Sequence, residues 1–244
     1  MEETYEELKV KLKANADAVR GRIAEACRKA GRAPEEVTLI GVSKVFPAEY
    51  AQAAVETGLN DLGENRVQEL VPKIGRLGEL GLHPNWHLIG TLQRNKVKYI
   101  IGKTYLIHSV NTLELAREIS TRSLKEGITT DILLQGNISG EESKHGFTSE
   151  ELPAALNAIN DMDGVRVRGL MTMAPIEQYE GQAREVFEKT REIYESLRGE
   201  CKDPAFWDTL SMGMSADFEA AIAAGSTCVR VGTAIFGNRN AYKA

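Results

Sequence analysis

The sequence predicts an α/β fold: a single (β/α)8 TIM barrel with an additional N-terminal helix. Eight short apolar segments alternate with helical stretches, and this alternation favours a parallel sheet whose strands are covered by helices. A length of 244 residues suits one such barrel. A doubly wound open sheet is the alternative, but the glycine fingerprint of that fold is missing after the first strand.

The predicted elements follow one another in a regular order. A leading helix is predicted over residues 1–31, because apolar residues recur along one face at Leu8, Leu12, Val19, Ile23 and Cys27. Eight strands are then predicted at 37–43, 59–63, 86–90, 105–109, 131–137, 167–171, 207–211 and 228–232. Examples of the intervening helices are predicted at 48–57, 111–125 and 182–197.

Composition indicates one domain over residues 1–244, with a C-terminal tail at 238–244. No low-complexity tract, linker or repeat interrupts the chain, and no apolar stretch is long enough to span a bilayer. The net charge of -5 argues against a nucleic-acid partner, and a small basic cluster, Arg94, Lys96 and Lys98, is expected on the solvated face of a helix. The three cysteines show neither metal-ligand spacing nor an even disulfide set. We therefore expect a cytoplasmic protein without a metal or a membrane partner.

Lys44 is the first candidate functional residue. It directly follows the first predicted strand, and Phe46 and Pro47 come soon after it. A buried ammonium is costly unless it is paired or neutralised. Burial or a neighbouring cation lowers the pKa of a lysine and makes its amine a nucleophile for Schiff-base chemistry. The alternative is a strand-end lysine whose ammonium reaches solvent.

The loops after the last two strands are predicted to bind phosphate. Small residues allow backbone N–H groups to approach an anion, and these loops form the usual phosphate site of a TIM barrel. The residues concerned are Ser211, Met212, Gly213, Ser215, Gly232 and Thr233. Ser215 is expected to start a helix that runs to Ala224, and the alternative is that Ser215 only caps this helix and Gly213 only makes a turn.

Arg230 is the third feature that indicates which ligand the site binds. An arginine inside an apolar strand needs a partner in the barrel or must point to its rim, and a structural salt bridge is the alternative. A nucleophilic lysine, a phosphate cup and an arginine near the ring nitrogen together describe a pyridoxal 5′-phosphate site. An arginine at that nitrogen, in place of an aspartate, leaves the nitrogen unprotonated and disfavours transamination.

Five motifs resemble the YggS/PROSC (YBL036C-like) family of pyridoxal phosphate homeostasis proteins. They are Gly41–Lys44, Gly63–Glu69, Trp86–Lys96, Leu210–Asp217 and Val229–Gly237, in the expected order and spacing. The resemblance implies a barrel similar to the alanine racemase N-terminal domain, with the cofactor held as a Schiff base on Lys44. It also implies a role in buffering or delivering the cofactor and in balancing amino-acid and keto-acid pools.

The resemblance also extends the set of expected site residues and limits the chemistry. Asn65 is placed near the cofactor ring by its motif. His87 is the nearest candidate for a second base by its strand position, but a hydrogen-bonding or ring-packing role is expected for it. Glu64 is expected to pair with a cation, and no role is assigned to Lys144. Racemisation needs a second base. Alanine racemase completes its active site with a further domain, which has no counterpart after Gly237 here. A monomer without strong turnover is therefore expected.

Three hypotheses remain open at this stage. The first is a pyridoxal phosphate carrier that passes its cofactor to apo enzymes. The second is a weak amino-acid racemase that uses the same site. The third is a cofactor-independent Schiff-base aldolase acting on a phosphorylated sugar.

Overall fold

The fold is a closed barrel of eight parallel strands in chain order, as predicted. A computed structural model describes residues 3–141, 145–175 and 181–238. Strands β1 to β8 span Thr38–Val42, Asp61–Glu64, Asn85–Leu88, Leu106–Val110, Thr130–Gln135, Val165–Met171, Thr209–Met214 and Cys228–Val231. β8 pairs with β1, with Cys228 opposite Thr38, and this pairing closes the sheet.

Helices surround the barrel. Within the described residues, α1 to α8 span Tyr5–Lys29, Ala48–Glu56, Val67–Glu79, Leu113–Lys125, Leu152–Asn160, Gln182–Leu197, Phe218–Ala223 and Thr233–Phe236. The connection after β3 is a 3-10 helix, Arg94–Tyr99, which carries the small basic cluster on its solvent side. A main apolar core lies between the strands and the surrounding helices.

α1 covers the seam between the last strand and the first. It begins with a capping box formed by Thr4 and Glu7, and the chain turns at Gly31 with a φ of 68°. Its buried face packs against α2, α7 and α8, and the Asn15 amide donates to the Ile235 carbonyl at 2.8 Å. Because α8 has only four residues, the leading helix supplies the cover that a full eighth helix would give.

The predicted end of β7 and start of the next helix were wrong. β7 runs to Met214, three residues beyond its predicted end, and α7 starts at Phe218 rather than at Ser215. The cause is an extra residue in β7: between the pairs Ser211–Cys228 and Met214–Arg230, β7 advances by three residues and β8 by two. Ser215 therefore lies in a turn and does not cap α7.

The barrel interior departs from the layers of branched apolar residues that usually fill this fold. Two small apolar clusters occupy part of it, one formed by Ile40, Val42 and Cys228 and the other by Leu106, Leu133 and Met171. Buried polar side chains also lie on the strands, namely His87, His108, Ser211 and Arg230.

Two features considered from the sequence fall wholly or partly outside the described residues. Lys144 and residues 239–244 of the predicted tail lie outside them. Cys27, Cys201 and Cys228 are free and buried. In the part of the chain that is described, no helix is long and apolar enough to cross a membrane.

Candidate functional site

A cavity of about 380 Å³ opens at the carboxyl ends of the strands. Six of the ten predicted site residues line it: Lys44, Asn65, Ser215, Arg230, Gly232 and Thr233. The other lining residues are Val42, Ile89, Gly90, Thr91, Gln135, Met173, Met214 and Ala216. The carboxyl ends of parallel barrel strands are where functional residues collect, so its position fits a ligand site.

Lys44 lies where β1 turns into the cavity, and it is half-buried. The next residue, Val45, has a φ of 66°, a left-handed conformation that is costly for a β-branched side chain. The Val45 N–H donates to the Glu69 carboxylate of α3 at 2.7 Å. This bond holds the strained turn and therefore the backbone from which the Lys44 side chain extends.

A buried ion pair supports the same strand end. The Ser43 hydroxyl donates to Glu64 Oε1 at 2.6 Å, and the Lys73 ammonium donates to the Ser43 carbonyl at 2.8 Å and also to Glu64. Burial raises the pKa of Glu64, and Lys73 and Ser43 oppose that shift. Glu64 thus has the expected cationic partner, which is Lys73 of α3.

Arg230 lies inside the barrel and lines the cavity, with 5% of its surface exposed. Its guanidinium donates to Ser211 Oγ at 2.5 Å and to the Thr172 carbonyl at 2.9 Å. Both acceptors are neutral, so these contacts do not form the salt bridge that was considered from the sequence. Ser211 is fully buried and does not line the cavity, but it contacts Arg230, which does.

The loops after β7 and β8 are joined by a hydrogen bond. The Gly232 N–H donates to Ser215 Oγ at 3.2 Å. Gly213 has a φ of 97°, and a Cβ there would lie 2.6 Å from the Ala221 Cβ of α7. Gly213 thus permits close packing of α7, while Met212 is buried in the outer core; neither lines the cavity.

The position of Asn65 depends on the close approach of its backbone to that of Gly90. A Cβ on Gly90 would lie 2.4 Å from the Asn65 carbonyl oxygen. Only a glycine fits beside that backbone, and the ends of β2 and β3 therefore come together at the cavity wall. Both residues face the cavity opening.

His87 does not line this cavity. It is buried in the barrel, where Nδ1 lies 3.0 Å from His108 Nε2 and Nε2 lies 3.1 Å from Asp61 Oδ1. Asp61 is the first residue of β2, so the imidazole is directed toward the opposite end of the barrel. The structure therefore gives no contact between His87 and the expected cofactor site.

The predicted site residues leave out other polar residues of this region. Gln135 and Thr91 line the cavity, and Gln135 is a polar residue at the end of an apolar strand, the position where functional side chains collect in this fold. His108 is fully buried inside β4, where it follows Leu106 and Ile107, and a buried polar side chain in an apolar strand signals a paired group.

The candidate cavity is distinguished neither by a set of metal ligands nor by having the greatest volume. Among residues 3–141, 145–175 and 181–238, no group of three or more His, Cys, Asp or Glu side chains could hold a metal ion. A larger cavity of about 500 Å³ lies between α1 and the amino end of β1. Its lining includes neither the candidate lysine nor the loops after β7 and β8.

Sequence relatives share nearly the whole chain. The model of the alanine racemase N-terminal domain matches residues 14–240. The pyridoxal phosphate homeostasis protein of Aquifex aeolicus is 43% identical over 89% of this chain and 94% of its own length. The protein of the same name from Escherichia coli K12 is 41% identical over 94% of this chain and 97% of its own length.

Solved structures agree with the sequence relatives. PipY of Synechococcus elongatus, with PLP bound, has a TM-score of 0.76 at 33% identity and covers 88% of this chain and 100% of its own. Alanine racemase of Corynebacterium glutamicum has a TM-score of 0.64 at 16% identity, covers 91% of this chain and 61% of its own, and shares the fold. The chain therefore belongs to the alanine racemase N-terminal domain family and, within it, to the pyridoxal phosphate homeostasis proteins.

Proposed function

We propose that this protein binds pyridoxal 5′-phosphate at the candidate site and holds it for intracellular homeostasis of the cofactor. The observation that carries the proposal is the presence of Lys44, Arg230 and the joined loops after β7 and β8 in one cavity. Relatives of similar length are named pyridoxal phosphate homeostasis proteins, and the related PipY structure contains PLP.

The described side chains fit that group by charge and by size. Lys44 would hold the aldehyde carbon as a Schiff base, and Arg230 would donate toward the ring nitrogen. Ser215, Gly232 and Thr233 would bind the phosphate through backbone N–H and hydroxyl groups. Asn65 and Gly90 would form the wall beside the ring. When bound, pyridoxal phosphate supplies an aldehyde that condenses with an amine and releases water.

The cavity favours retention of the cofactor over turnover. Of its described lining residues, Lys44 and Arg230 are the ionisable ones. Arg230 keeps its proton at all ordinary pH values, so it does not serve as a second base. A two-base racemase needs a proton acceptor on each face of the substrate carbon. The described lining thus supports a carrier with at most weak racemase activity.

Titration with pyridoxal phosphate tests the binding proposal. The wild-type protein is expected to develop a visible absorbance band that persists after desalting, whereas Lys44→Ala is expected to lose it. Lys98→Ala, at an exposed lysine of the basic cluster, is the matched control and is expected to behave like the wild type. Absence of a band in the wild type would contradict the proposal.

A second experiment separates a carrier from an enzyme. In this proposal the protein acts as a cytoplasmic monomer and passes its cofactor to apo enzymes. The loaded protein is expected to reactivate an apo aminotransferase and to leave L- and D-alanine unexchanged at Cα in D2O. Rapid inversion with deuterium incorporation would establish the racemase alternative instead, and light scattering would test the monomer.

A further inference from the structure

A continuous chain of hydrogen-bonded polar side chains runs through the barrel from the buried Arg230 to the partly exposed Asp61. Arg230 donates to Ser211 Oγ, which lies 2.9 Å from His108 Nδ1. His108 Nε2 lies 3.0 Å from His87 Nδ1, and His87 Nε2 lies 3.1 Å from Asp61 Oδ1. Arg230 lines the cavity at the carboxyl ends of the strands, whereas Asp61 lines a second cavity of about 330 Å³ at their amino ends.

The two ends of this hydrogen-bonded chain fix the direction of its first and last hydrogen bonds. A guanidinium only donates and an ionised carboxylate only accepts. The hydrogen bonds from His87 and Asn85 hold the pKa of Asp61 below its usual value despite its burial, so this carboxyl is ionised at neutral pH. His87 must then donate from Nε2 to Asp61, and Ser211 must accept from Arg230.

The directions of the two middle hydrogen bonds follow from the two terminal ones when both imidazoles are neutral. Burial lowers the pKa of His87 and, more strongly, that of His108. A neutral His87 that donates from Nε2 accepts at Nδ1, so His108 donates to it from Nε2. His108 then accepts at Nδ1, and the Ser211 hydroxyl donates there. All four bonds thus point from the cation to the carboxylate.

We infer that Ser211, His108 and His87 are positioning residues that hold the Arg230 guanidinium in its orientation toward the ligand cavity. The inference rests on the proposed function. Arg230 is buried with neutral acceptors, and this one-way chain connects it to the negative charge of Asp61. One guanidinium nitrogen is bound to Ser211 and another to the Thr172 carbonyl, which fixes the plane of the group at the cavity.

Matched substitutions separate positioning from simple packing. Ser211→Ala removes one link of the chain, and Ser109→Ala makes the same change at a buried serine of β4 whose hydroxyl has no partner among the described residues. His108→Met and His108→Gln have similar lengths, but only the glutamine retains an acceptor and a donor for Ser211 and His87.

The readouts are the dissociation constant for pyridoxal phosphate and the absorbance maximum of the bound cofactor. Ser211→Ala is expected to raise the dissociation constant about tenfold and to shift the band, because Arg230 loses a hydrogen bond. His108→Met is expected to act in the same direction, because the Ser211 hydroxyl that accepts from Arg230 loses its own acceptor. His108→Gln is expected to restore most of the affinity, and Ser109→Ala to match the wild type. If Ser211→Ala and His108→Met lower the melting temperature but leave the affinity and the spectrum unchanged, the hydrogen-bonded chain has only a structural role. That result would overturn the inference.

A variant at the far end covers the case in which the interior variants fail to fold. Asp61→Leu removes the terminal acceptor from a partly exposed position outside the ligand cavity. It is expected to shift the spectrum of bound cofactor, and an unchanged spectrum would contradict the inference. If the wild type takes up no pyridoxal phosphate, the proposed function fails and the inference fails with it.

Nitrogen NMR of the cofactor-free protein tests the bond directions separately. Both imidazoles are expected to be neutral at pH 7, with the proton on Nε2. A proton on Nδ1 of either histidine, or a charged imidazolium, would contradict the assigned direction whether or not the ligand binds.

Discussion

At the scale of single residues, Lys73 is the cation that supports the end of β1 beside the candidate site. Its ammonium is buried with Glu64, and removal of one partner from a buried ion pair leaves an uncompensated charge. Lys73→Met is therefore expected to lower the free energy of unfolding by about 3–5 kcal/mol, measured by urea denaturation. Adding Glu64→Gln to this variant is expected to recover part of the loss, because the remaining buried group is then neutral.

An exposed pair provides the control for Lys73. Lys13 and Asp17 form an ion pair on the surface of α1, with about half of each side chain accessible. Lys13→Met is expected to cost less than about 1 kcal/mol. Equal losses in Lys13→Met and Lys73→Met would show that the buried pair gives the strand end no special support.

The two buried histidines predict how stability depends on pH. Burial lowers the pKa of each imidazole. Arg230 near His108 and Arg168 near His87 act in the same direction, and Asp61 opposes the shift in the pKa of His87. Unfolded histidines bind protons near pH 6.5, whereas the folded ones bind them only at lower pH. The free energy of unfolding should therefore fall as the pH decreases from about 6.5 toward 5, by up to about 1.4 kcal/mol per pH unit for each histidine.

His108→Gln provides the comparison for this pH dependence. The variant has one fewer buried imidazole, so its free energy of unfolding should fall less steeply over the same pH range. Denaturant titrations between pH 7 and pH 5 measure both slopes. Identical slopes would mean that His108 takes up its proton equally well in the folded and unfolded states.

At the scale of elements, the extra residue of β7 shapes the loop that carries Ser215. Gly213 lies within this irregular stretch with a φ of 97°, and α7 packs against the position that its Cβ would occupy. Gly213→Ala is expected to cost about 1–3 kcal/mol from backbone strain, with a further loss from the contact with Ala221. Because the Ser215 loop would shift, weaker cofactor retention is expected as well.

Gly75→Ala is the matched substitution for Gly213→Ala. Gly75 lies in the interior of α3 with open space around its Cβ position. Alanine there is expected to stabilise the protein by about 0.5–1 kcal/mol. Thermal unfolding compares the two variants, and a Gly213→Ala protein as stable as the wild type would show that α7 adapts without cost.

At the scale of the whole molecule, the barrel and much of the candidate site were predictable from sequence. Alternating strand and helix signals predict the barrel, and strand ends converge in this fold, so Lys44 and Arg230 are brought to one mouth. The length of β7 was not predictable, because a glycine with positive φ extends the strand where the sequence indicates a loop.

The hydrogen-bonded chain from Arg230 to Asp61 in the barrel interior was also not predictable from the sequence. Barrel strands are buried on both faces, so their sequences do not show which side chains point inward. His87 and His108 are both strand residues, and their contact depends on the register of β3 against β4. His87 was consequently expected at the ligand cavity, although its partners lie deeper in the barrel.

The central claim is that Lys44 is the residue that binds pyridoxal phosphate covalently. The most direct measurement is borohydride reduction of the loaded protein, followed by proteolysis and mass spectrometry of the labelled peptide. A mass increase on Lys44, absent from Lys44→Ala, is the predicted result. A label on a different lysine, or no stable label in the wild type, would contradict the account.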